Sequence, residues 1–402
     1  MSDFTDNDAT LHPNSETSCA KVDSRVNRRA FLTGMGLGGA IFALSPHVRS
    51  IFKSGDEELL LCVGSFGAAD PGTLHLLHVQ SGNTRMLNTH PSARPAAIAR
   101  HPFRPLLYVA NDVNLYQHQP RGTVETFGFN SATGKLELVG RQPLSLSATQ
   151  PRSLAISPDG RSLVVAAFGG GAYNVLPIDE TGLPSAPTAI LKQVGRGEHE
   201  TQQSSSHPSH VLFHPRTGIA IAADYGAERL DILTSDDGDS GTGKMNVAAR
   251  TSCAAGSGPS KIAMHPDGEL FVVGHALRPA LAAFGLNQQM KLMPLGRASL
   301  KSAPTAICFS ADKSILFAAQ SRGARQALLA AWSIDAQKGT LQRISEIALP
   351  ADEVTSMHPT GSTLWLASDR GIIFVELDTQ TGTPRESYRV SSVPHLRSMA
   401  VV

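Results

Sequence analysis

Pro151-Arg-Ser-Leu-Ala-Ile-Ser157-Pro158-Asp159-Gly160, running on into the apolar stretch 163–167 (Leu-Val-Val-Ala-Ala), reads as strand, tight turn and strand. Its apolar residues alternate with a period of two, and Ser-Pro-Asp-Gly supplies the turn. The same phrase recurs from Pro95 through His101-Pro102, from Pro208 through His214-Pro215, from Pro259 through His265-Pro266, and from Pro304 through Ser310. A looser copy runs from Val354 through His358-Pro359. Starts lie roughly 40–57 residues apart, the spacing of propeller blades. A seventh unit is split between residues 58–64 and residues 394–402. If the last strand completes the blade that the first one opens, the ring closes and loses its exposed edges. The expected fold is all-β, a seven-bladed β-propeller over residues 58–402 closed by the C-terminal strand. No βα alternation and no long 3.6-period helix follows residue 58.

The formal charge of +1 rests on nearly balanced acids and bases, which argues against a nucleic-acid partner. No apolar run in the propeller region is long enough to span a bilayer. Residues 1–50 differ in kind. The first 26 are polar and read as disordered. Asn27-Arg28-Arg29-Ala30-Phe31-Leu32-Thr33 then precedes a mildly apolar, Gly-rich stretch, and this pattern resembles a twin-arginine export signal. It predicts a bacterial periplasmic protein. Small residues at Ala43-Leu44-Ser45 suit cleavage and Pro46 opposes it; an uncleaved leader would be an anchor. Cys19 lies in the leader, while Cys62, Cys253 and Cys308 form an odd set without motif spacing, so neither a disulfide framework nor a Cys metal site is expected.

His101, His214, His265 and His358 share one repeat position, which Ser157 and Ser310 fill in other blades. A residue that alternates between His and Ser before a turn is expected to hydrogen-bond the turn backbone rather than bind metal. The acidic loop at Asp236–Asp239 lacks the spaced acids and terminal Glu of an EF-hand and reads as a solvated hairpin. The repeat also maps a site. Residues just after each repeat proline share a rim with those ending the second strand of each blade. That rim collects Asn111, Asp112, Arg152, His207, His210, Asp224, Lys261 and His275. Asp224, His207 or His275 is the expected water-activating group, with Arg152 and Lys261 holding an anion or oxyanion. His210, Asp112 and Asn111 complete the expected substrate contacts.

Residues 150–171, the Val175-Leu-Pro-Ile-Asp stretch, Ala223-Asp224-Tyr-Gly226, Leu107-Tyr-Val-Ala-Asn111-Asp112 and Leu61-Cys-Val-Gly64 together resemble the lactonase family of propellers. That family includes propeller-type 6-phosphogluconolactonases and carboxymuconate-lactonizing enzymes. The resemblance implies a sugar-type lactone such as a gluconolactone as substrate, with no cofactor and no metal. Several family positions are altered: Ser153 replaces a His, Ala167-Phe168 an Asn-Tyr, Ser260-Lys261 an Arg-His and Gly274-His275 an Asn-Glu. His207 and Asp224 remain. Two functions stay open, an exported lactonase and a non-catalytic propeller that binds a small anionic ligand or a protein partner; a monomer is expected in either case.

Overall fold

Each repeat proline opens an innermost strand: Pro95–Arg100, Pro151–Ile156, Pro208–Phe213, Pro259–Met264 and Pro304–Phe309, with Val354–Thr360 as the counterpart in the looser copy. Proline fits there because the first residue of a strand need not donate to the ladder. The computed structural model describes residues 41–42, 59–80, 83–235, 244–311, 315–321 and 326–402. The twin-arginine motif, the cleavage region at residues 43–46 and the acidic loop lie outside them.

The strands form seven antiparallel sheets, here blades I–VII in chain order. Six of them run from inner to outer strand in sequence order. Blade I is composite: Leu396–Val401 is innermost, followed by Leu59–Ser65, Thr73–Gln80 and Asn83–Pro91, with the short Ile41–Phe42 at the outer edge. The closing register pairs Leu61 with Val401 and Ser65 with Leu396. The chain is therefore a seven-bladed propeller closed by its C-terminal strand. Apolar residues of neighbouring blades interlock, as where Val164, Tyr173 and Val175 of blade III pack on Val211, Phe213 and Ala222 of blade IV. Burial of that kind contributes about 25 cal/mol per Å² of apolar surface.

At the turn end, His101 Nδ1 accepts from the amides of Phe103 (3.0 Å) and Arg104 (3.1 Å), and His214 Nδ1 from Arg216 (3.1 Å) and Thr217 (3.2 Å). Ser157 Oγ accepts from Ser162 N at 2.9 Å and Ser310 Oγ from Ile315 N at 3.0 Å. Imidazole Nδ1 and hydroxyl Oγ thus do the same work, which explains their exchange in the repeat. Gly268 (φ +82°) brings the next turn so close that a Cβ there would lie 2.2 Å from His214 Nε2. His358 departs from the pattern. It lies within the ladder opposite Trp365, and the turn follows at Gly361-Ser362.

At the opposite rim, the second residue of every innermost strand is bulged out of register. These residues are Ala96, Arg152, Ser209, Ser260, Thr305, Thr355 and Arg397. Where this residue is Ser or Thr, its hydroxyl donates back to a second-strand carbonyl: Ser209 to Ala223 O (3.1 Å), Ser260 to Gly274 O (3.0 Å) and Thr355 to Ala367 O (3.3 Å). Bulges re-aim side chains. In blade III the side chain re-aimed is a guanidinium.

Candidate active site

A cavity of about 510 Å³ opens at this rim between blades III, IV and V. Arg152, Phe168, His207, Ser209, Tyr225, Ser260 and Lys261 line it, together with Thr201 and Gln202 of the long loop entering blade IV. The guanidinium of Arg152 stacks on Phe168, 3.8 Å from the ring centroid, and lies 3.7 Å from the Asp112 carboxylate. Phe168 also stacks on His207, with centroids 4.7 Å apart and planes 15° from parallel. Cation–π contact and the ion pair hold Arg152 in place. Burial raises the Asp112 carboxyl above the usual range, against the pull of Arg152 and Arg94.

His207 Nδ1 lies 2.9 Å from the Phe168 carbonyl oxygen. A carbonyl only accepts, so Nδ1 carries the proton, and the neutral ring offers Nε2 as its basic nitrogen. The backbone of His207 is also fixed, because its amide donates to Asp224 Oδ1 at 2.8 Å. Asp224 is fully buried. Oδ1 further accepts from Gly226 N (3.2 Å) and Ala227 N (2.9 Å), and Oδ2 accepts from Ser206 Oγ at 2.6 Å with Arg229 at 3.5 Å. Gly226 is required there, since a Cβ would fall 1.9 Å from Ser205 O.

These contacts correct the expectation that Asp224 activates water. Its acceptor sites are taken and it does not line the cavity; it holds His207 in place. His275 does not reach the cavity either. It is 2% exposed, its Nδ1 has no partner among the described residues, and burial with a lesser push from Arg297 lowers its pKa to about 4. Asn111 is drawn into a buried network. Its amide donates to Ser92 Oγ (3.1 Å), Ala93 O (2.8 Å) and Glu125 Oε2 (3.1 Å), and it accepts from Thr123 Oγ1 at 2.8 Å. His210 stands behind Lys261. Burial, then the lysine charge, lowers its pKa to about 3, so it is neutral at physiological pH.

Of the eight residues expected at the site, Arg152, His207 and Lys261 meet in the cavity, with Asp112 braced on Arg152. Phe168 and Tyr225 are additions, an aromatic wall that rim position alone does not reveal. Two buried acids also escaped the reading, Glu125 and Asp231, each at the third position of its strand. Their signal is an acid inside an apolar alternation opposite an arginine, Arg141 and Arg250 respectively. Asp231 is bound by Arg229 Nε at 3.1 Å, and burial still raises its pKa to about 6. Among the described residues no group of three or more His, Cys, Asp or Glu converges as metal ligands.

A family model for seven-bladed β-propeller lactonases matches residues 60–395. A 6-phosphogluconolactonase of Bacillus subtilis is 26% identical over 165 residues, 40% of this chain and 45% of that protein. This match therefore takes in less than half of the relative's length. A 6-phosphogluconolactonase of Sodalis glossinidius is 23% identical over 325 residues, 69% of this chain and 89% of that protein. The periplasmic gluconolactonase of Pseudomonas aeruginosa superposes with a TM-score of 0.76 at 19% identity, covering 86% of this chain and 99% of that one. At such identity the structural likeness carries the fold alone.

Proposed function

The chain belongs to the seven-bladed β-propeller lactonase family, and on that premise we propose that it hydrolyses a small sugar-type lactone, such as a gluconolactone, in the cavity between blades III, IV and V. The observation that carries this reading is the convergence of Arg152, Lys261 and a tautomer-fixed His207 on one cavity. Its volume of about 510 Å³ lies within the range of small-molecule sites. Nε2 of His207 takes a proton from water as the water oxygen bonds to the lactone carbonyl carbon. Charge then develops on the carbonyl oxygen, where Arg152 or Lys261 stabilises it. As the tetrahedral carbon collapses, the ring C–O bond breaks and the proton on His207 passes to the departing ring oxygen. Phe168 and Tyr225 offer flat apolar faces to the C–H side of a sugar ring.

A panel of lactones assayed with the full-length protein tests this reading. Turnover of a gluconolactone above its spontaneous rate is expected, and Arg152→Met should lower kcat/KM about tenfold or more, the worth of a charged hydrogen bond. If no lactone is turned over while a small anion still binds, the protein is a binding propeller. The Arg28-Arg29 pair supports export to the periplasm. Arg28→Lys with Arg29→Lys should strand the protein in the cytoplasm, and normal export of that double variant would remove the twin-arginine route.

A further inference from the structure

Among the described residues, Lys261 is the one primary amine lining the cavity described above. It follows the bulge at Ser260 and pairs with Gly274, where a Cβ would fall 2.9 Å from the Pro304 ring of the next blade. Among the described residues the Lys261 side chain makes no ion pair and no hydrogen bond. The charged and titratable groups that face it are Arg152 from blade III, His210 from blade IV and Glu353 at the entry to blade VII. Arg152 is locked in place by Phe168 and Asp112, and the Glu353 carboxylate is taken up by Arg397 at 2.9 Å. His210 is neutral. Lys261 is thus left with a guanidinium neighbour and no carboxylate of its own.

We propose that Lys261 is an acyl acceptor: a lactone held in the cavity, as the proposed function requires, is captured at intervals by the lysine amine instead of by water. The lysine nitrogen attacks the carbonyl carbon and a C–N bond forms. The ring C–O bond breaks, and the proton lost by nitrogen passes to the ring oxygen, which leaves as a hydroxyl. The product is an amide that carries the whole lactone, and no further reactant is needed. Attack needs the free amine, and burial, then Arg152, holds the Lys261 ammonium below the ordinary lysine range, with Glu353 opposing. Acylation removes a cation and fills the cavity, so it inactivates the site. Water wins while His207 delivers it; Lys261 wins in the remaining encounters.

The test is to incubate the full-length protein with glucono-δ-lactone near about pH 8 and map adducts by peptide mass spectrometry while turnover is followed separately. One adduct of intact lactone mass is expected at Lys261, at least about tenfold ahead of exposed lysines such as Lys291, because a lactone held in the cavity meets the amine as an intramolecular partner. Turnover should decline in step with it, and the time-dependent decline should be absent from Lys261→Arg, whose initial rate is itself lowered by the change at the oxyanion. Trace labelling with acetic anhydride over a pH series reads the nucleophilicity of the amine without any lactone recognition. Lys261 titrating alongside Lys291, or lactone adducts spread over surface lysines with Lys261 bare, overturns the proposal. Hydrolysis without an adduct at Lys261 removes the acyl acceptor and leaves the lactonase; an adduct at Lys261 without hydrolysis does the reverse.

Discussion

Blades IV and V begin alike and end differently. Both open with Pro-Ser, both bulge at the serine, and in both that hydroxyl returns to a second-strand carbonyl. At the end of the second strand, blade IV has Asp224 and blade V has His275; at the third position of the next strand they have Asp231 and Ala282. Blade IV satisfies its two buried acids, although His210 Nδ1 has no partner there among the described residues. Arg229 alone reaches Asp231 (3.1 Å), Gln193 Oε1 (2.7 Å), Val194 O (2.8 Å) and Asp224 (3.5 Å). Among the described residues, blade V leaves His275 Nδ1 without a partner in the interior and the Lys261 ammonium without one in the cavity. Fully bonded buried polar groups rigidify a scaffold, whereas unbonded ones are left for a ligand or cost stability. Blade IV is the frame on which His207 is mounted, and blade V brings Ser260 and Lys261 to the cavity.

The widest separation of the two blades comes from Asp224→Ala. It strips four donors of their acceptor, while Arg229 keeps Asp231, so unfolding in urea should show a loss of about 3–5 kcal/mol, since each buried donor left unmet costs about 1–3 kcal/mol. Turnover should fall with it because His207 loses its brace. A loss below about 1 kcal/mol would erase the contrast, since that is what an ordinary neutral hydrogen bond contributes. His207→Gln should do the opposite: turnover falls by about 10²–10⁴ with little change in melting, because the base goes and the frame stays.

Acid should weaken the fold through the buried imidazoles. The folded state keeps His275 neutral down to about pH 4 and His210 to about pH 3, against an unfolded value near 6.5. A depressed histidine binds its proton more readily when unfolded, so its contribution is complete above about pH 6.5 and is lost progressively as pH falls toward the folded pKa. Asp231, raised to about 6 from 3.8, acts oppositely between those values, so the clearest loss lies just below pH 6.5. Melting temperatures measured between about pH 7.5 and pH 6 read this slope. The smallest effect is expected from His275→Leu. It removes an unpaired interior nitrogen, so stability near neutrality should move by less than about 1 kcal/mol, and the acid slope should flatten. A loss like that of Asp224→Ala would mean that blade V is braced after all.

What this chain determined in sequence was the local part. Period-two alternation, a proline at each strand start and His or Ser before each turn are contacts within about ten residues, so they are written where they act. Even the split blade was legible, because a strand without a partner at each end of a ring has one place to go. His358 shows where local reading stops: it holds the right repeat position, but its hairpin continues two residues further. The tertiary structure decided which rim residues reach the cavity. Asp224 and Lys261 are both polar residues at the rim. The carboxylate of one is consumed by the amides of His207, Gly226 and Ala227; the side chain of the other makes no hydrogen bond among the described residues. The stack of Arg152, Phe168 and His207 exists only because blades III and IV meet side by side. Such proximity arises from packing between strands roughly 40 residues apart in the chain, a repeat-length distance that no local pattern encodes.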